Sequence, residues 1–227
     1  MYSDSTTPVN NDENRELHGG RAFDRLVNFS DAIVAVVITV LVLPLADLAI
    51  GADESTAWDV LGDHMGQITT FFFTFFVVAY MWMLHNRIFN QLISFDIPLF
   101  WLNLFWLATI AFLPVTSALY GEGDSPGGTW DGNRLTGSGL LYWFSLAAIS
   151  GLGTVMAWHV RRHRDLIDPE IARPILLTGD WRARYRGVAF AAFFILIGLV
   201  SQFAPDVARW LPLGLIPLTV VMRRGEK

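Results

Sequence analysis

The sequence predicts an all-α integral membrane protein with six transmembrane helices. Of the 227 residues, 53% are hydrophobic and only 16% are charged, whereas a soluble domain carries roughly 25% charged residues. The apolar residues also gather in runs close to the ~20 residues that a helix needs to cross a bilayer. A soluble fold of this length could not bury so much apolar surface, so the bilayer is the expected solvent.

The first 20 residues are polar and lack both a basic start and an apolar run. We therefore expect residues 1–20 to form a disordered cytoplasmic tail rather than a secretory signal. Residues 21–227 are expected to form one six-helix transmembrane channel domain. The predicted spans, in order, are 26–45, 68–84, 97–119, 139–160, 187–203 and 207–222. The sixth is short and contains Pro212 and Pro217.

Basic residues set the orientation of membrane helices more strongly than acidic ones do. With six spans, every Lys and Arg except Arg134 and Arg209 falls on one side, which predicts a multi-pass protein of the cell membrane with both termini cytoplasmic. A five-span arrangement would leave the basic C-terminus outside, so the charges also favour the sixth span. The basic loop 161–186 follows the same rule, and an anionic-lipid site is the alternative for it.

Motifs for enzymatic chemistry are missing from the sequence: there is no P-loop, no dinucleotide fingerprint and no H-E-x-x-H. Absence of cysteine excludes disulfides, thiol catalysis and Cys-ligated metals. His159 and His163 lie four residues apart, but their setting in H-V-R-R-H-R favours a solvated basic helix end over a metal site. We therefore expect no enzyme, no resident cofactor or metal, and no nucleic-acid partner.

Asp31 interrupts the first span, and a carboxylate within a bilayer is costly enough to indicate a specific role. At ~100° per residue, Val36, Val40 and Leu43 fall within ~60° of one another, whereas Asp31 lies ~140° from Val36. If the three aliphatic residues line a pore, Asp31 points into the helix bundle. Thr39, ~60° from Val36, either bonds to a backbone carbonyl of its own helix or contacts a cation at the edge of that stripe.

Candidate partners for Asp31 are Arg25, His85 and Asn103, which lie near the cytoplasmic third of their own helices. Two roles stay open for the carboxylate: a buried polar contact that fixes helix geometry, and a proton relay.

The stretch R-x-x-x-F-S-D, followed by an apolar run with Thr39 eight residues after Asp31, resembles the transmembrane-protein-175 family of potassium channels. Later similarities support the resemblance over residues ~21 to 120, and the remaining helices resemble the family by topology only. Those later residues are Trp82, His85, Asn86, Asn103, Leu113, Pro114 and Thr116.

This resemblance implies a homotetramer with a central pore lined by the first helix. It implies a hydrophobic constriction and a threonine associated with potassium preference, and behind the pore a structural polar cluster. By position, the constriction is Val36, Val40 and Leu43, the threonine is Thr39, and the cluster is Arg25, Ser30, Asp31, His85 and Asn103. Family members often carry Ile or Leu in the constriction, so the two valines imply a slightly wider ring.

The expected function is a potassium-preferring cation channel, with K⁺ as the permeant ion and lipid and other copies of the chain as partners. One alternative is a proton-coupled secondary transporter that uses Asp31 and His85 as a relay. Another is a membrane scaffold that conducts nothing. A transporter would usually carry repeated, interrupted helices, and the sequence shows no such pairing.

Overall fold

A computed structural model describes residues 11–50, 56–121, 138–168, 181–204 and 211–215 of the chain. Within these ranges the secondary structure is helical, apart from an isolated β-bridge between Leu92 and Ile167. The predicted all-α class is therefore confirmed.

Helix α1 spans Asn11–Val40 and is followed by a short α2, Leu43–Ile50. The start of α1 lies within the segment that we expected to be a disordered tail, where Asn and acidic residues favour a helix N-terminus. The predicted span 26–45 was treated as one continuous helix, but the structure divides it after Val40. Pro44 explains the division, because proline has no N–H to donate to the carbonyl of Val40.

The next two helices are α3, Ala57–Asp63, and α4, Met65–Phe89. Thr56 caps α3: its hydroxyl accepts a hydrogen bond from the Asp59 N–H, and the Asp59 carboxylate accepts one from the Thr56 N–H. This reciprocal arrangement fixes the start of α3 immediately before the long apolar helix α4.

Three further long helices follow: α5, Ile97–Gly121, α6, Ser138–Arg162, and α7, Trp181–Phe203. Short 3₁₀ helices cover Arg164–Leu166 and Leu211–Gly214.

Five stretches of the described chain are long and apolar enough to cross a membrane: Gly20–Asp47, Met65–Phe89, Ile97–Gly121, Ser138–Arg162 and Tyr185–Phe203. These agree with the first five predicted spans. The predicted sixth span, 207–222, lies outside the described residues except for 211–215.

Helix α6 packs closely against its neighbour α7 because small residues lie between them. A side chain at Gly187 would collide with Thr154, and one at Gly198 would lie 3.1 Å from the Cβ of Trp143. Close approach through small residues is typical of helix packing in membranes. Helix α6 also contacts α5, which in turn contacts α1 and α4. Helix α1 therefore lies at one side of the bundle.

Successive long helices run in opposite directions. Near the start of α1, the ring of Phe23 stacks on that of Phe89 at the end of α4, with centroids 6.2 Å apart. Beyond α4 and α6, the Ile93 N–H donates to the Leu166 carbonyl at 3.0 Å. The start of the apolar stretch Gly20–Asp47, the start of α5 and the ends of α4 and α6 thus share one end of the bundle. We call it the basic end, after Arg21, Arg87 and Arg162.

Candidate functional site

The buried face of α1 is held to the bundle by a chain of polar side chains. The Ser30 hydroxyl donates to the Leu26 carbonyl at 2.9 Å and accepts a bond from Asn103 Nδ2, also at 2.9 Å. Asn103 Oδ1 lies 2.8 Å from His85 Nε2. Ser30, Asn103 and His85 are all buried, so the chain links α1, α5 and α4 where water cannot supply the bonds.

Asn103 determines how the protons in this chain are arranged. Its Nδ2 donates to Ser30, so its Oδ1 is the acceptor that faces His85. Nε2 of His85 must then carry a hydrogen and donate it. The His85 ring is also fixed on both faces, since it stacks on Phe89 at 4.1 Å and on Trp106 at 4.2 Å between centroids. The imidazole has little freedom to rotate in this setting.

Asp31 binds a partner that the sequence did not lead us to propose. Its Oδ1 accepts a hydrogen bond from Trp82 Nε1 at 2.7 Å, which joins α1 to α4 a second time. No hydrogen bond between described residues joins Asp31 to Arg25, His85 or Asn103, the candidate partners from the sequence, although His85 lies within electrostatic reach of the carboxylate. Asn103 bonds to Ser30 instead, and Arg25 is exposed and has no acidic partner among the described residues.

A signal for Trp82 was present in the sequence. Trp82 and His85 are three residues apart on α4, and this spacing places two side chains on the same helix face. An indole N–H is a donor that seeks an acceptor when it is buried. The resemblance drew attention to Trp82, but without a fold nothing connected it to Asp31.

The opposite side of α1 is left open by the rest of the chain. Val36 is 60% exposed and Leu43 is 55% exposed; Val40 is partly buried, and Thr39 is exposed. The Thr39 hydroxyl donates to the Val36 carbonyl at 2.7 Å, so the backbone bond that we considered from sequence is present. We call Val36, Thr39, Val40 and Leu43 the open stripe.

The fold and this site define a multi-pass helical membrane protein. Its first spanning helix is fastened to the bundle on one face and exposes an aliphatic stripe on another. A sequence model described as "Endosomal/lysosomal potassium channel TMEM175" matches residues 25–114. The match covers α1 from Arg25 onward, α2, α3, α4 and most of α5, and this part of the chain carries both the polar chain and the open stripe.

Curated relatives extend the similarity beyond this segment. A Streptomyces collinus protein named a potassium channel is 27% identical over 189 residues, which cover 80% of this chain and 84% of the relative. These matches agree with the resemblance to the TMEM175 family that the sequence indicated, and the family model itself covers residues 25–114.

Animal relatives match a smaller part. Proteins named "Endosomal/lysosomal proton channel TMEM175" from Danio rerio and Homo sapiens are 34% and 32% identical over 95 and 101 residues. These matches cover 42% and 44% of this chain but only 18% and 20% of the relatives. The matched segment is thus about a fifth of the animal proteins. No solved structure matches the chain at the significance that these relatives reach.

Proposed function

We propose that the protein is a potassium-preferring cation channel in which α1 lines the conduction path. The observation that carries this proposal is the open stripe. In the apolar stretch Gly20–Asp47, Val36 on α1 and Leu43 at the start of α2 are more than half exposed, while the other face of α1 is bonded to α4 and α5. The Streptomyces relative is named a potassium channel, and potassium is accordingly the ion that we propose for this chain.

A single α1 cannot enclose a pore, so several copies must place their open stripes around a common axis. We propose four copies, following the family resemblance. Val36, Val40 and Leu43 then form the constriction, which conducts only while it is wide enough to stay hydrated. Thr39 lies at the edge of that ring. Potassium is preferred because stripping water from the larger ion is less costly.

The proposed orientation has the basic end in the cytoplasm of a cell whose plasma membrane holds the protein. Arg21, Arg87 and Arg162 lie at that end, as the positive-inside rule requires. A sixth span over 207–222 completes the arrangement and returns the C-terminus to the same side. Acidic outer loops attract cations to the opposite mouth.

Proton conduction is the second candidate, because the animal relatives are named proton channels. We do not expect protons to pass along a relay from Asp31 to His85. The Asp31 oxygen bonds to an indole N–H, and this group only donates, so it cannot pass a proton on. Proton flow through the open stripe would instead need water in the pore.

Flux in liposomes tests the proposal. The purified chain is reconstituted into vesicles with K⁺ inside and Na⁺ outside, and the reversal potential is measured under voltage clamp, with protein-free vesicles as the control. We expect a current that needs no second ion and reverses near the potassium equilibrium potential.

Other outcomes of this measurement separate the alternatives. A reversal potential that follows an imposed pH gradient would favour a proton channel. Flux that saturates and requires a second ion would favour a transporter. If folded protein gives no flux in either direction, the non-conducting scaffold is correct.

A further inference from the structure

Three metal-ligating side chains meet at the basic end of the bundle, away from the open stripe. His159 lies in the last turn of α6, His163 directly follows that helix, and Asp96 lies just before α5. His159 Nε2 is 2.7 Å from Asp96 Oδ2, and one potential ligand atom from each of the three residues lies within 4.8 Å of the others. The sequence offered only the histidine pair; the third ligand comes from 63 residues away.

The chain holds each of these side chains by a separate local contact. Asp96 caps α5, since its Oδ1 accepts the Leu99 N–H at 2.9 Å and leaves Oδ2 to face His159. His163 Nδ1 lies 3.0 Å from the His159 carbonyl and donates to it. Nε2 of His163 therefore keeps the lone pair that a metal needs. Such outer hydrogen bonds are the usual means of orienting metal ligands.

Backbone contacts keep the two segments together independently of these side chains. The Ile93 N–H donates to the Leu166 carbonyl at 3.0 Å, and the Asp168 N–H donates to the Gln91 carbonyl at 2.9 Å. The loop that carries Asp96 is thereby fastened to the segment that follows α6. We call this pair of joined segments the basic-end clasp.

We propose that Asp96, His159 and His163 form a binding site for a divalent transition-metal ion of the zinc class. Two imidazole nitrogens and one carboxylate oxygen, with water in the fourth position, are a common ligand set for zinc. Nε2 of His159 coordinates only after it gives up the hydrogen that it donates to Asp96 Oδ2, and that proton moves to Nδ1 or to solvent.

The required movement is small. Bonds of ~2.0 to 2.1 Å in a tetrahedron place the ligand atoms roughly 3.3 Å apart. Asp96 and His159 are already closer than this, at 2.7 Å. His163 is exposed and directly follows α6. Its ring now stacks on that of His159 with centroids 4.2 Å apart, so binding requires this ring to turn toward the shared site. The positive charges of nearby arginines weaken the binding of a metal cation. One of them, Arg162, stacks its guanidinium over the Trp158 ring, 3.8 Å from the ring centroid. We therefore expect micromolar rather than tighter affinity.

Metal titration tests the site. Protein purified without a histidine tag is titrated with Co²⁺, whose visible absorption reports tetrahedral coordination, and then with Zn²⁺ as competitor. We expect one ion per chain and a higher melting temperature with Zn²⁺, because the ion ties the start of α5 to the end of α6.

Two variants and one control identify the ligands. Asp96→Asn keeps an oxygen for the Leu99 N–H, and His163→Ala removes an exposed ring, so neither removes a buried contact. Each should weaken binding at least tenfold and abolish the Zn²⁺-dependent rise in melting temperature. His64→Ala, at the start of α4, removes a distant histidine and should change neither measurement. Absence of binding, or equal binding by both ligand variants and the control, would overturn the proposal.

Discussion

Asn103 links the two other members of the buried polar chain through opposite sides of one amide group. Its Nδ2 serves Ser30 on α1 and its Oδ1 serves His85 on α4. An amide group offers a donor and an acceptor on one rigid plane. Since His85 is also enclosed between Phe89 and Trp106, loss of the amide leaves an imidazole N–H with no route to water.

Asn103→Ala should therefore destabilise the protein by about 1–3 kcal/mol, the usual penalty for orphaning a buried donor. The free energy of unfolding in mild detergent measures this. Asn90→Ala is the matched control, because Asn90 is exposed at the end of α4. Equal stability of the two variants would mean that the amide does not support the bundle.

At the scale of the element, α1 has to satisfy two requirements on different faces. One face supplies Ser30 and Asp31 to bonds with α5 and α4, and another exposes Val36; Leu43, at the start of α2, is exposed as well. This separation lets the polar contacts fix the position of α1 while the aliphatic side chains stay exposed. Trp82, rather than a charged group, partners Asp31, so the helix is anchored without an ion pair.

Val36→Ala and Leu43→Ala should each raise unitary conductance severalfold and reduce potassium preference, because smaller side chains widen the ring and keep it hydrated. Single-channel recording in planar bilayers measures both quantities. Val188→Ala and Leu199→Ala on α7 are the matched controls, since they shorten exposed side chains elsewhere. Unchanged currents in the α1 variants would show that the open stripe does not line the pore.

Asp96, in the basic-end clasp, gives a prediction for how the stability of the protein depends on pH. Partial burial raises the pKa of Asp96, but hydrogen bonds from the Leu99 N–H and His159 outweigh it, so the pKa lies below its ordinary value. A lowered folded-state pKa stabilises the protein above the unfolded-state value of about 3.9, and this contribution disappears as the pH falls through the folded-state pKa.

Wild type should therefore melt at a higher temperature than Asp96→Asn near neutral pH, and the difference should shrink below pH ~4. Melting curves across pH test this. Asp63→Asn serves as the control for loss of an exposed carboxylate. Its difference in melting temperature from wild type should change less with pH than that of Asp96→Asn. If the difference in melting temperature between wild type and Asp96→Asn stays constant as the pH falls below ~4, the Asp96 carboxylate is not the stabilising group.

At the scale of the whole molecule, the proposed pore requires several copies of the chain. A tetramer would convert four exposed stripes into one enclosed path. The chain contains no cysteine, so a thiol introduced at any position is the only one present and can be modified without background.

Thr39→Cys should lose current on addition of a positively charged methanethiosulfonate, because a thiol in a water-filled pore ionises and reacts. Leu196→Cys, exposed on α7, should keep its current because lipid surrounds it. Native mass measurement should give four chains per particle. A monomer, or the same reactivity at both positions, would contradict the assembly.

Much of the organisation could be predicted from the sequence. The first five spans follow from apolar runs, and the two faces of α1 follow from the helical repeat, because both depend only on residues close together in the chain. Ser30, His85 and Asn103 were grouped through the resemblance. The end of α1 at Val40 was missed, although Pro44 marked it; the length of the apolar run outweighed the proline.

The sequence by itself determined that this protein belongs in a membrane, where its helices cross and which side chains of α1 can share a face. Those properties are local, since hydropathy adds along the chain and each residue turns an α-helix by a fixed angle. Only the tertiary structure decided which distant side chains form hydrogen bonds with each other. Trp82 meets Asp31 across 51 residues, Asn103 meets Ser30 across 73, and Asp96 meets His159 across 63. Which polar groups pair at such separations depends on how whole helices pack, and no local pattern records it.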